Sequence, residues 1–191
     1  MIGSIRGQVT HLGGDHVLVE VGGIGYRIVA GPALLAKLRV GTEASVFTHH
    51  LVREDLQALF GFATTEELAF FELLMTVSQV GPRLALAITA AHPVTKLQLA
   101  IVTDDVDVYT SVSGVGRKTA QRIILELKEK VHAAGIAAGG PSSTDSDVVA
   151  ALESLGYSST EARRAAGAVA GTDGALDARI KAALQELARS R

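Results

Sequence analysis

The stretches VSQVGPRLALAI (residues 77–88) and VSGVGRKTAQRI (residues 112–123) decide the fold of the middle of the chain. They lie 35 residues apart and agree at six of twelve positions, including a Val-Gly pair in each. Apolar residues at helical spacing follow both pairs. A repeat of this kind is typical of a duplicated supersecondary unit. The pattern therefore predicts two helical hairpins, one turning at Val80-Gly81 and the other at Val115-Gly116.

Each predicted hairpin has the features of a phosphate-binding site. The glycine permits turn conformations that a Cβ would resist and lets a phosphate approach the main chain closely. The helix that follows presents unpaired N–H groups and its positive dipole end. Basic side chains lie within two residues after each glycine: Arg83 in the first copy, Arg117 and Lys118 in the second. The pattern favours contact with the DNA backbone over a pair of plain helix–helix turns with solvated cations.

Before the hairpins, residues 1–62 have the pattern of short strands. Apolar and polar residues alternate over residues 4–30, and two Gly-Gly pairs interrupt the alternation. A short helical segment at 32–38 precedes two further strand-like runs, 44–52 and 56–62. Five short strands in such a segment predict a small closed barrel of the OB type.

The apolar period changes to that of helices at residue 63 and keeps it to residue 132. Thr64 and Glu67 have the spacing of a capping box at the start of this helical domain. Residues 133–144, AAGIAAGGPSST, are small and glycine-rich, which predicts a flexible linker. Residues 145–191 contain three amphipathic segments and predict a compact three-helix domain.

Composition restricts the classes of protein to which the chain can belong. The absence of cysteine excludes disulfides, cysteine nucleophiles and thiolate metal sites, and favours a cytoplasmic protein. No apolar run approaches the roughly 20 residues that a membrane helix needs, so we expect neither export nor membrane insertion. Aromatic residues make up 4% of the chain, which leaves few side chains for stacking on bases. The net charge of −2 argues against indiscriminate coating of nucleic acid, so binding must be local.

Three other patterns resemble catalytic sites. Glu54-Asp55, in the turn between the last two strands, is compatible with metal-assisted hydrolysis, a solvated turn or repulsion of phosphates, although adjacent carboxylates on a turn lack the further ligands of a metal site. His49-His50 lies in a strand, where neighbours face opposite sides, so a shared metal site is not expected. GVGRKT (residues 114–119) lacks two glycines of a phosphate-binding loop. The sequence therefore predicts no metal, no cofactor and no ATPase site.

Taken together, five stretches resemble the RuvA family of Holliday-junction-binding proteins from end to end. They are MIGSIRG at the start, VGGIGYRI, VREDLQALFGF, the two hairpins, and LGYSSTEA after the linker. The resemblance implies an α+β multidomain fold. Its parts are an N-terminal OB-fold barrel, a tandem helix-hairpin-helix domain and a mobile C-terminal three-helix domain of the UBA-like kind.

The resemblance also implies a function and a set of site residues. It implies a homotetramer, with an octamer left open, that binds four-way junction DNA during recombination, DNA repair and the SOS response to DNA damage. The RuvB ATPase would be its motor and the RuvC resolvase a further partner. The implied DNA-binding residues are Val80, Gly81, Arg83, Val115, Gly116, Arg117, Lys118 and Arg122. Glu54 and Asp55 match the family's acidic pin at the crossover, and the implied contacts with RuvB are Leu152, Leu155 and Tyr157.

One residue departs from the family pattern. Gln79 stands where the first hairpin commonly has glycine, whereas Gly114 keeps glycine in the second. The sequence leaves open whether the first turn is stiffer or differently shaped. Two other functions also stay open: a structure-specific nuclease that uses Glu54 and Asp55, and an interaction module whose hairpins no longer bind DNA.

Overall fold

The computed structural model describes residues 1–136, 145–169 and 175–189, with side chains left out at 129–136 and 145–146. The chain divides into two compact units, Met1–Glu72 and Leu73–Arg191.

The first unit is built on a five-stranded closed barrel in which the strands lie in the order β1-β2-β3-β5-β4. The strands are β1 (Ser4–Leu12), β2 (His16–Val21), β3 (Ile24–Ala30), β4 (Glu43–Val52) and β5 (Gln57–Phe62). Helix α1 (Pro32–Leu35) lies between β3 and β4 and is shorter than the predicted segment, which continued to residue 38. The predicted OB-type barrel is confirmed.

The barrel closes through strand β1 and through one parallel pair. Strand β1 pairs antiparallel with β4 in its first half and with β2 in its second half. Gln8 is the crossing point, because it is paired with both Glu43 and Glu20. Strands β3 and β5 pair in parallel, which joins the two ends of the sheet. Closure removes the exposed edges that an open sheet of this size would present.

Apolar side chains that point inward at alternate positions of the strands fill the barrel interior. Val9, Val17, Val19, Ile28 and Val46 are all fully buried. Inward-facing β-branched side chains pack well against their neighbours on a pleated surface, which explains why the alternating valines predict this element.

Helix α2 (Thr65–Met75) begins directly after the barrel. Its cap is the predicted pair: the Glu67 amide donates to Thr64 Oγ1 at 3.2 Å, and the Glu67 carboxylate accepts from the Ala63 amide at 2.8 Å. Phe71 of this helix packs against two barrel side chains, with ring centroids 5.5 Å from Phe60 and 4.9 Å from Phe62.

The second unit begins with the last three residues of α2, and four helices follow. They are α3 (Pro82–Ala91), α4 (Val94–Val102), α5 (Val106–Thr110) and α6 (Arg117–Ile136). The break between α4 and α5 is not predicted by the sequence pattern. It occurs at Asp104, which has a φ of 55°, and Asp105 caps α5 by accepting from the Asp107 amide at 3.1 Å.

Helix α6 continues through residues 133–136, the first four residues of the predicted linker. The remainder of that linker, residues 137–144, lies outside the described residues.

The last part of the chain forms the predicted three helices, α7 (Asp145–Ser154), α8 (Ser159–Ala168) and α9 (Leu176–Arg189). Ser158 and Glu161 form the predicted capping box at the start of α8. The core of this domain includes Val148, Leu152, Ile180 and Leu184, which are at most 1% exposed.

Within the described ranges, no single helix has the length and hydropathy of a membrane span. Helices α3 and α4 reach those values only when taken together, and they are bent by 100° relative to each other.

Candidate nucleic-acid interface

The first hairpin makes a tight turn between α2 and α3. The Val80 amide donates to the Val77 carbonyl at 3.2 Å. Gln79, at the tip of the turn, has a φ of 66° in the left-handed region. Gly81 then takes an extended conformation, with φ −88° and ψ 171°. Its carbonyl accepts from the Ala85 amide at 2.9 Å, which is the first hydrogen bond of α3.

The second hairpin repeats this geometry between α5 and α6. The Val115 amide donates to the Val112 carbonyl at 3.0 Å, and Gly114 at the tip has a φ of 89°. The Gly116 carbonyl accepts from the Ala120 amide at 2.9 Å. Both turns therefore place a left-handed residue two positions before the glycine that precedes the helix.

The two hairpins also bury equivalent residues, which explains why the two copies share apolar positions. Ala85 and Ile88 of α3 and their counterparts Ala120 and Ile123 of α6 are all fully buried. Val80 and Val115 are each 6% exposed, so their side chains anchor the turns to the core. Any contact that these two valines make with DNA must use their main-chain atoms.

Gly81 and Gly116 face open space. A Cβ added to either residue would meet no other atom within 4 Å, and neither has a left-handed φ. The expectation that these glycines are needed for the shape of the turn is therefore wrong, because Gln79 and Gly114 hold that conformation. Free space beside the main chain is what a phosphate needs to reach the amides of a helix N-terminus.

Three cations lie at the mouths of the hairpins. Arg83, Arg117 and Lys118 are exposed, and each lies within the first turn of its helix. Among the residues that the structure describes, none of these three takes part in an ion pair. Their charges are available to an anion at the helix N-termini.

Arg122 differs from these three because it has a partner in the protein. It is partly buried on α6, four residues after Lys118, and its Nη1 donates to Gln79 Oε1. Next to it, the Ser78 amide donates to Glu126 Oε2 at 3.1 Å. The turn of the first hairpin is thus bonded to the helix of the second.

Glu54 and Asp55 lie in the exposed turn between β4 and β5. The Arg53 amide donates to the Leu56 carbonyl at 2.8 Å and closes this turn. In the described parts of the chain, no group of three or more acidic or histidine side chains is arranged to hold a metal ion. The two carboxylates add negative charge to this turn.

The neighbouring histidines also lack the arrangement of a metal site. His49 Nδ1 lies 3.0 Å from Glu72 Oε1, and the His49 ring lies 5.3 Å from that of Phe71. His49 therefore packs on helix α2, and both histidines are partly buried, so the interpretation of this pair as open strand surface is not supported.

The side chains expected to contact the motor are buried in this conformation. Leu152 and Leu155 are fully buried, and Tyr157 is 5% exposed. The Tyr157 hydroxyl donates to Gln98 Oε1 at 2.6 Å, and Gln98 Nε2 donates to the Leu155 carbonyl at 2.6 Å. Gln98 of α4 thereby binds the segment between α7 and α8.

Sequence reasoning missed the roles of Gln98 and Glu126. Gln98 is 1% exposed on α4, where the other buried residues are apolar, and an isolated amide at such a position is a signal of a buried hydrogen-bonded contact. Glu126 carries no such signal, because a glutamate on a helix is ordinarily solvated.

Comparison with known proteins agrees with the order of these elements. Three family models match in succession: the RuvA N-terminal domain at residues 1–61, the SAM-like helix-hairpin-helix tandem at residues 71–129, and the RuvA C-terminal domain at residues 145–188.

Similar proteins named "Holliday junction branch migration complex subunit RuvA" are found in several bacteria. The Acidothermus cellulolyticus protein is 47% identical over 166 residues, which cover 86% of this chain and 85% of that protein. The Nocardia farcinica protein is 43% identical over 173 residues and the Mycobacterium tuberculosis protein 44% identical over 170 residues, each covering 86% of both chains. The chain therefore belongs to the RuvA family.

Proposed function

We propose that this chain is the DNA-binding subunit of a branch-migration complex, that it holds four-way junctions open, and that it catalyses no reaction itself. The observation that carries the proposal is the pair of equivalent hairpins. Each presents an open glycine and an exposed cation at a helix N-terminus. Two equivalent anion sites at fixed spacing fit a regular array of phosphates.

Binding at these sites uses the DNA backbone. A phosphate beside Gly81 or Gly116 accepts hydrogen bonds from the amides of the following turn, and the helix dipole stabilises its charge. Arg83 serves the first site, and Arg117 and Lys118 serve the second. Phosphate contacts position a protein on DNA without reading its sequence. The near-neutral net charge limits binding to these sites, so the chain does not coat duplex indiscriminately.

The acidic turn supplies selectivity for the junction in this proposal. Four strands exchange at the centre of an open junction, and carboxylates placed there repel phosphates and keep the strands apart. On a linear duplex the same carboxylates have no gap to occupy and oppose binding. Glu54 and Asp55 therefore act against duplex more than against a junction.

Neutralising the acidic turn is expected to reduce this selectivity. In the Glu54→Gln, Asp55→Asn double variant, we expect affinity for linear duplex to rise roughly fivefold, because two like charges near phosphates are removed. Junction affinity is expected to change less. Titration of both DNAs by fluorescence anisotropy at one salt concentration measures the ratio.

The matched control is the Glu20→Gln, Glu153→Gln variant, which changes the net charge equally at exposed positions in other parts of the chain. Equal changes in both double variants would contradict a local role for the turn. The nuclease alternative predicts something different: Mg²⁺-dependent cleavage of junctions by the wild-type chain that disappears in the acidic-turn variant.

The remaining parts of the proposal concern assembly and location. We propose a cytoplasmic homotetramer, with an octamer as its face-to-face form, divided into domains at 1–62, 63–132 and 145–191 with a linker at 133–144. RuvB supplies ATP hydrolysis, and RuvC is a further partner. Leu152 and Leu155 serve the core of the C-terminal domain, whereas Tyr157 meets RuvB only when its bond to Gln98 is released.

A further inference from the structure

The turn of the first hairpin is bonded to helix α6 of the second. The first turn reaches α6 through Gln79, which binds Arg122, and through the Ser78 amide, which lies 3.1 Å from Glu126 Oε2. In the other direction, a Cβ on Gly114 would lie 3.6 Å from Leu84 Cδ1 of α3. Only the first of these two turns carries a polar side chain at its left-handed position.

The conformation of Gln79 points to a reason for this side chain. Its φ of 66° is one that residues with a Cβ rarely adopt, and glutamine has no special tolerance for it. The equivalent position, Gly114, has no Cβ and meets no such cost. A glutamine held here is expected to make a contact that offsets the strain, and its contact is with Arg122.

Arg122 is well placed to bind DNA while it is held. It lies one helical turn after Lys118, so the two cations share a face of α6. A guanidinium has five N–H donors, and only Nη1 is engaged by Gln79. Because the amide of Gln79 is neutral, this contact orients the guanidinium without cancelling its charge.

We infer that Gln79 is a positioning residue that holds the Arg122 guanidinium for contact with the DNA backbone, and so couples the first hairpin to the phosphate site of the second. This inference rests on the proposed DNA-binding function. The inference adds one requirement to that function: full affinity for junction DNA needs a neutral hydrogen-bond acceptor in the side chain of residue 79.

The test is a double-mutant cycle in the full-length chain with a four-way junction as the probe. The variants are Gln79→Met, Arg122→Ala and the two combined. Methionine keeps the length of the side chain and the strain of the backbone but removes the amide acceptor. We expect each single variant to weaken binding about fivefold and the double variant also about fivefold, because both changes break one unit.

The charge of residue 79 separates positioning from a merely structural contact. Gln79→Glu keeps an acceptor within reach of Arg122 but cancels the charge. We expect it to weaken junction binding at least as much as Gln79→Met does, and to lower the slope of log K against log salt by about 0.9. A structural contact alone predicts the same loss from Gln79→Glu whether or not Arg122 is replaced by alanine, because only repulsion between the new carboxylate and the phosphates then weakens binding. Positioning predicts a smaller loss when Arg122 is already absent. Gln185→Glu on α9, which is exposed, controls for the change in net charge.

Gln79→Gly removes the acceptor and also the backbone strain, so the melting temperature is not expected to fall. Junction affinity is still expected to fall about fivefold. This variant keeps the test decisive if Gln79→Met folds poorly. The inference is overturned if Gln79→Gly binds as tightly as the wild-type chain, or if the losses from residues 79 and 122 multiply. Failure of the wild-type chain to bind junctions would instead overturn the proposed function.

Discussion

Replacement of both Gly81 and Gly116 by leucine is expected to weaken binding to four-way junctions by at least about 100-fold, with little change in folding. Each leucine occupies the free space beside the main chain, where we place a phosphate. A hydrogen bond from an amide to a charged group contributes about 1.5–3 kcal/mol, and the variant loses at least one at each hairpin.

The cost of these substitutions to the fold is small for a specific reason. A Cβ at either position meets no atom within 4 Å, and neither residue has a left-handed φ. Leucine is a poorer helix N-cap than glycine, which lowers the free energy of unfolding by up to about 1 kcal/mol at each helix. Circular dichroism therefore gives a nearly unchanged spectrum, while fluorescence anisotropy with a labelled junction reports the lost affinity.

The matched control is Gly167→Leu in α8, another exposed glycine with nothing within 4 Å of its Cβ position. It is expected to bind junctions like the wild-type chain. If the Gly81, Gly116 double variant also binds normally, the hairpins have no role in binding and an interaction module becomes the better interpretation.

The second large effect concerns the stability of the barrel. Gly7→Ala is expected to lower the free energy of unfolding of the barrel by about 1–3 kcal/mol. For a domain of this size, that loss lowers the melting temperature by roughly 5–20 °C. The added Cβ would lie 2.1 Å from the Glu20 carbonyl oxygen and 2.8 Å from Val21 Cγ2, so strands β1 and β2 must separate where the barrel closes.

Calorimetry of the full-length chain, with hydrogen exchange of the strand amides to identify the barrel transition, measures this effect. Gly25→Ala in β3 is the control, since a Cβ there meets nothing within 4 Å. Identical melting of the two variants would show that the close contact at Gly7 is relieved without cost.

Local patterns predicted the elements of this fold better than the contacts between them. Alternation and paired glycines indicate the five strands because those signals lie within each strand. The parallel pairing of β3 with β5 joins segments that are distant in sequence, and no short pattern specifies it. The need for glycine at residue 7 follows from the close approach of β1 and β2 where the barrel closes, and no short pattern in the sequence predicts it either. The break at Asp104 depends on one residue that takes a left-handed conformation, which composition alone does not reveal.

In the candidate site, too, local features were predicted better than contacts between distant residues. The repeat identified both turns and their cations, because duplicated positions carry the same signal twice. Of the two roles it gave Gly81 and Gly116, the turn conformation is wrong and space for a phosphate is kept, because no sequence pattern separates a glycine needed for its φ from one needed for space. Gln79 was noticed as a departure from the pattern, but its bond to Arg122 joins residues 43 positions apart. Contacts of that kind depend on how the two hairpins pack.

In the proposed function, the chain recognises a branched DNA structure through contacts with the DNA backbone. Titration of the full-length chain with a four-way junction and with linear duplex of equal length, at one salt concentration, tests this most directly. We expect binding to the junction to be at least about 100-fold tighter than binding to duplex. Equal affinity for the two DNAs would contradict it.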